Sequence, residues 1–196
     1  SGALVSKIIL KEGITLSLSL QQPFNYHNVP LYILLGLVAG IVSLYYTRAF
    51  SWMETRIHQV QNQWIRAVTG GLLLFVIILL FPPLFGEGYE TIKELAGLKA
   101  NSLFRNSILY PLIETNGQHI ILLALLIFIK PIAAAITLGS GGNGGNFAPA
   151  LFVGAYLGFV FARIVNMFGF THIPESNFTL VAMAGILSGI FYAPLT

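Results

Sequence analysis

Apolar stretches of membrane length recur along the chain. Leu31 to Thr47, Ala67 to Phe85 and Phe178 to Thr196 carry no charged residue, Ile120 to Leu138 carries only Lys130, and Phe147 to Phe170 only Arg163. A hydrocarbon core of about 30 Å needs about 20 residues at 1.5 Å each. Backbone polar groups in lipid must be satisfied within the segment or in a closed barrel, and no barrel-like alternation recurs here. The pattern predicts an all-α, polytopic helical membrane protein. It forms a single transmembrane domain over residues 1–196, with helices near 29–62, 65–85, 118–138, 147–169 and 178–192.

Between these stretches the chain turns polar. Ile14 to Leu20 (ITLSLSL) alternates apolar and hydroxyl residues, as an extended linker would. Arg48 to Arg66 reads as an amphipathic helix leaving the membrane, and Glu87 to Gln118 as the longest polar connection. Basic residues are denser in the first, so the positive-inside rule assigns Arg48 to Arg66 to the cytoplasm. The chain starts at Ser1-Gly2 without an initiating Met or a signal-peptide pattern, and stops at Ala193-Pro194-Leu195-Thr196 without a polar tail. This reads as a piece of a longer chain.

Composition narrows the function classes. Of 196 residues 56% are hydrophobic and 9% charged, far below the usual quarter, which excludes an ordinary soluble globule. The mean hydropathy of +0.79 excludes disorder. A net charge of +3 is too dilute for nucleic-acid binding. Absence of Cys removes thiolate nucleophiles and sulfur-ligated metals, and no nucleophile, acid/base pair or metal cluster points to an enzyme, a catalytic residue or a cofactor.

The chemistry concentrates in Leu138 to Gly158 (LGSGGNGGNFAPALFVGAYLG). Gly139, Gly141, Gly142, Gly144 and Gly145 lie between two apolar helices, where ordering each one costs backbone entropy. The loop runs into a helix starting near Phe147, with Asn146 as a good N-cap residue and Pro149 in the first turn. Unsatisfied N–H groups and the macrodipole at such a start form an anion site without a cationic ligand. Half-helices aimed at an anion are a recurrent transporter device, in which binding replaces hydration yet permits release. Candidate anion-binding residues are Asn146 and Phe147 through their main-chain amides, with Gly145 beside them. Ser140, Gly141, Gly144 and Pro149 support the loop.

Other readings of these glycines compete. Gly154 and Gly158 form a GxxxG pair suited to close helix packing. Gly139, Gly141 and Gly144 match GxGxxG, but no acidic residue follows about 20 positions on and no βαβ unit is available. A Walker loop lacks its Gly-Lys-Ser/Thr. A helical membrane scaffold or assembly subunit, whose Gly-rich loop only serves packing, is the alternative to anion transport.

Ser140 to Pro149 (SGGNGGNFAP), followed by Gly154-Ala155, resembles the GxFxP region of the CLC family of chloride channels and proton/chloride antiporters. The long helix from about Val29 to Asn62, Lys130 ahead of the Gly loop, and Ala184-Gly185 through Ala193-Pro194-Leu195-Thr196 fall in that family's order. The resemblance implies tilted and partial-span helices, the second half of an inverted repeat, and one wall of a chloride path in which the amides of Asn146 and Phe147 coordinate the anion. It also implies a multi-pass protein of bacterial inner membrane type in the lipid bilayer, and a homodimer at full length. Asn146 departs from the family, which usually has an apolar residue there; its carboxamide either caps the helix and competes with the anion or adds a donor. The family's GSGIP serine, GREGP glutamate and late tyrosine have no matching motif in this chain, so the isolated piece is not expected to transport.

Among the remaining residues, Lys130 is a possible intramembrane functional charge; equally, it satisfies the carbonyl freed by Pro131 or reaches an interface. Arg163 reads as an interfacial anchor. His27, His58, His119 and His172 show no metal-ligand spacing, and no metal is expected. Glu114 and Glu175 read as loop acids without a proton-relay partner. Tyr32, Tyr45, Tyr46, Trp52 and Trp64 suit aromatic belts.

Overall fold

A computed structural model describes residues 25–86, 88, 92, 95, 116–169 and 172–192. Five helices have bounds among the described residues: α1 (Val29–His58), α2 (Gln63–Leu80), α3 (Asn116–Gly139), α4 (Phe147–Phe168) and α5 (Glu175–Phe191), with short 3-10 turns at Tyr26–Asn28 and Pro82–Leu84. The first four are long and apolar enough to cross a membrane. At 17 residues, α5 spans about 25 Å, short of a full bilayer core. The linker at 14–20, most of the connection at 87–118 and Glu114 lie outside the described residues.

Local chemistry sets the helix ends and corrects several expected boundaries. α1 stops at His58, before the expected 62, because Asn62 leaves the helix to cap α2: its side chain accepts from the Trp64 amide at 3.0 Å. α2 stops at Leu80 rather than 85, since Pro82 and Pro83 lack the N–H groups that would continue it. α4 ends at Gly169, whose φ of 71° is the left-handed conformation of a C-terminal stop. α5 begins three residues earlier than expected, with Pro174 at its N-cap and Glu175 in a first turn that favours a carboxylate.

α4 sits at the centre. Its run Ala150 to Val160 is buried, and Phe152, Tyr156 and Phe159 are among the largest fully buried side chains. α5 lies along one side of it and α3 along another, and α1 packs across α3 and α5. The close approach of α4 and α5 depends on absent side chains, because a Cβ at Gly158 would come within 2.6 Å of the Thr179 Cα, and one at Gly154 within 3.0 Å of the Ala182 carbonyl oxygen. The GxxxG pair is therefore a packing seam.

α2 has the opposite character. Only 6% of its apolar window is buried, with Leu72, Phe75 and Val76 exposed. An apolar helix this bare calls for an apolar surrounding rather than water.

Arg163, expected as an interfacial anchor, also has a partner within the protein. Its Nε lies 2.8 Å from Glu175 Oε1, and its guanidinium stacks 5.2 Å from the centre of the Phe159 ring, so it joins α4 to α5. Glu175 accordingly has a partner, a structural one. Beside this pair, Asn166 accepts from the Ile173 amide at 2.8 Å and donates to its carbonyl at 3.1 Å, which fastens the short α4–α5 connection.

Substituting Gly158→Leu in the full-length protein is expected to lower stability by about 1–3 kcal/mol through overpacking against α5. Gly36→Ala, where an added Cβ meets nothing within 4 Å, is expected to be neutral or stabilising by up to about 1 kcal/mol. Thermal midpoints in detergent check both.

Candidate functional site: an open helix start beside a buried lysine

The Gly loop reverses the chain between α3 and α4. Ser140 N donates to Ile136 O at 2.9 Å, Gly141 N to Leu138 O at 3.1 Å and Gly142 N to Thr137 O at 2.9 Å, which closes the C-terminal end of α3. Gly141 has φ 95°, a conformation available to glycine at little cost, and this residue turns the chain. Ser140 points away from the loop: its buried Oγ packs against Gly70 of α2 and has no hydrogen-bond partner among the described residues. Ser140 and Gly141 therefore shape the loop without lining a site.

The first turn of α4 is left open. Ala150 N makes the first intrahelical bond, to Asn146 O at 3.2 Å. The N–H groups of Asn146, Phe147 and Ala148 precede it and have no intrahelical acceptor, and Pro149 has no N–H to satisfy. The capping role expected of the Asn146 side chain is not taken up: it makes no cap hydrogen bond. Its Oδ1 instead accepts a hydrogen bond from the hydroxyl of Tyr46, 100 residues away on α1.

This start opens onto a cavity of about 460 Å³. Its walls are Gly144, Gly145, Phe147, Ala148 and Pro149 on the loop and α4, Lys130, Ala134 and Thr137 on α3, Leu74 and Ile78 on α2, and Leu84 to Gly86. Of the residues expected at the site, Gly144, Gly145, Phe147, Pro149 and Lys130 meet around one space. Asn146 is not in the wall, because its side chain is turned back toward α1. Ala148 is in the wall, and its free amide is the donor that motif reasoning passed over; the missing N–H of Pro149 was the signal, since it leaves Ala148 as the last uncommitted amide.

Lys130 is 3% exposed and does not reach an interface. Its Nζ donates to Leu84 O at 3.1 Å and Gly86 O at 3.0 Å, and sits 4.6 Å from the centre of the Phe152 ring. It satisfies the turn after α2 rather than the carbonyl freed by Pro131. Among the described residues it has no carboxylate partner; it lines the cavity, with two of its three donors engaged by carbonyls.

Tyr46 corrects a second expectation. It is fully buried and stacks on Phe50 at 6.3 Å between centroids, so it belongs to the core and not to an aromatic belt. Its position midway along α1 was the available signal, since belts lie near helix ends. No group of three or more potential metal ligands occurs among the described residues.

A family model for the voltage gated chloride channel matches residues 1–196. The chain belongs to the chloride channel family. Relatives include the chloride channel protein CLC-f of Arabidopsis thaliana, 29% identical over 86% of this chain and 22% of its own length. Chloride channel protein CLC-e of the same plant is 28% identical over 86% of this chain and 24% of its own. An uncharacterized protein of Methanocaldococcus jannaschii is 24% identical over 99% of this chain and 43% of its own. The chain thus spans less than half the length of these relatives. Family membership and four membrane-length helices make it an integral, multi-pass membrane protein.

Replacing Lys130 by Met leaves the Leu84 and Gly86 carbonyls without their buried donor. In the full-length protein this change is expected to cost about 1–3 kcal/mol of stability, read as a lower thermal midpoint that Lys130→Arg, which retains donors and charge, reduces less.

Proposed function

We propose that this chain forms one wall of the permeation path of a chloride channel or proton/chloride antiporter, with the open start of α4 binding the anion. The ligands are the main-chain amides of Asn146 and Phe147 next to Gly145, joined by that of Ala148. One observation carries the reading: three amides without an intrahelical acceptor stand at the head of α4, and two of their residues, Phe147 and Ala148, line a cavity whose wall also contains Lys130. The family match and the names of the plant relatives support chloride as the anion. The work is binding and release in passage, without catalysis or a cofactor. On the same reading the full-length protein is a homodimer in a membrane of bacterial inner-membrane type.

The energetics favour passage over capture. Aligned amides and a macrodipole of about half a charge attract an anion without forming a contact ion pair. Lys130 adds positive potential, and two of its three ammonium protons are committed to the carbonyls of Leu84 and Gly86. An anion here gains enough to replace water and little enough to leave.

Chloride titration of the full-length protein in detergent is expected to shift the backbone amide resonances of Gly145 to Ala148, leaving those of α2 in place. Phe147→Pro deletes one donor and should weaken chloride binding and slow flux in proteoliposomes several-fold, more than Phe147→Leu, which keeps the amide. Resonances that ignore chloride would instead favour a helical scaffold with a packing loop.

A further inference from the structure

The start of α5 holds a carboxylate whose surroundings do not match its charge. Glu175 is the first residue of that helix, and its side chain is 13% exposed. Oε1 lies 2.8 Å from Arg163 Nε of α4, but the contact lacks the alignment of a hydrogen bond, so Nε has no hydrogen-bond partner among the described residues. Oε2 is buried and has none either. The hydroxyls nearest in sequence are spent elsewhere: Ser176 Oγ on Asn177 Oδ1 at 3.3 Å and Thr179 Oγ1 on the Glu175 carbonyl at 2.7 Å. An ionised carboxylate offers about four acceptor sites, and a buried one left short of donors holds its charge at a cost.

From this geometry we infer that Glu175 is a proton-binding site, and that protonation there releases the charged tie between α4 and α5. The neutral acid leaves no buried negative charge to compensate. Arg163 loses its attraction to Oε1 but keeps supports of its own, since its side chain is 40% exposed and its guanidinium lies 5.2 Å from the centre of the Phe159 ring. A cation placed in this way tolerates the loss of its partner better than the half-met carboxylate tolerates its charge. The anion site plays no part in this inference.

The groups around Glu175 bear it out. Arg163 on α4 and His172 on the connection between the helices favour the ionised form, and the first turn of α5 adds its dipole. Burial opposes them and prevails, which raises the carboxyl above the ordinary glutamate value. From α1, Tyr32 meets this end of α5, stacked on Phe178 at 4.3 Å and hydrogen-bonded to Asn177. A phenol titrates at about 10 and stays neutral while a carboxylic acid ionises. A carboxyl that binds its proton more tightly in the fold than in the unfolded chain contributes stability at low pH, and that contribution is lost as pH rises through its folded value.

The test is infrared difference spectroscopy of the full-length protein in detergent as a function of pH, with thermal midpoints recorded alongside. A carboxylic-acid carbonyl band that Glu175→Gln removes is expected, titrating at a higher pH than the value of about 4.3 for an exposed glutamate. Arg163→Gln, which deletes the stronger of the two favouring charges, should move the band to still higher pH, and Arg163→Lys should move it less. His172→Gln, a change at an exposed position outside the helices, should move it in the same direction whether or not the Arg163 variants fold. The thermal midpoint of the unmodified protein should fall relative to that of Glu175→Gln as pH rises through the titration. In a double-variant cycle, Arg163→Gln and Glu175→Gln should be coupled above the titration midpoint and independent below it. The proton site is overturned if no band depends on Glu175, or if the band titrates with exposed glutamates. Coupling that persists below the midpoint overturns the release.

Discussion

Everything at the centre of this protein is arranged around α4, a buried helix whose first turn opens onto a cavity. A helix start carries donors that its own backbone cannot satisfy, and away from water each such group is costly. At the head of α4 three features act together to leave these donors open. Pro149 supplies no N–H, the loop glycines at 144 and 145 present backbone without side chains, and the one side chain suited to capping, Asn146, is bonded to Tyr46. The result is a patch of partial positive charge at the edge of a cavity, which is what the proposed anion site rests on.

The rest of the fold follows from holding that start in place. α4 is buried along most of its length, and the glycines at 154 and 158 bring α5 so close that no side chain fits between them. The Arg163–Glu175 pair and the two Asn166 bonds fix the far end of the α4–α5 hairpin. On the other side, Lys130 anchors the turn after α2 to α3, which makes that turn part of the cavity wall. α2, with almost nothing buried, closes one flank of the cavity through Leu74 and Ile78.

Much of this was legible in the sequence, because hydropathy and helix punctuation are local. Charge-free runs located the helices, Asn146 and Pro149 marked the head of α4, and the spacing of Gly154 and Gly158 announced a close approach. The errors share a physical origin. Boundaries slipped where a polar residue could belong to either of two helices, as with Asn62 between α1 and α2. Tyr46, Arg163 and Lys130 were read by depth along their own helices, whereas their roles depend on partners elsewhere in the chain. Asn146 is the sharpest case: its residue type argues for a cap, but its backbone is already helical and its carboxamide meets the tyrosine on α1.

The treatment of charge at the cavity has a consequence for how an anion would be handled. A lysine placed as a direct ligand would form a contact ion pair in a medium of low dielectric, where the attraction is large and escape correspondingly slow. Here Nζ is about 3 Å from each of two carbonyl oxygens and lies over an aromatic ring. Those dipoles offset part of its desolvation and hold it as a fixed source of potential rather than a mobile ligand. On the proposed reading direct contact falls to amides carrying fractions of a charge, each too weak to trap an anion alone. Attraction from a distance and coordination at contact are thereby assigned to different groups, and the depth of the binding well can be set by the number of free amides without altering the field that draws the anion in.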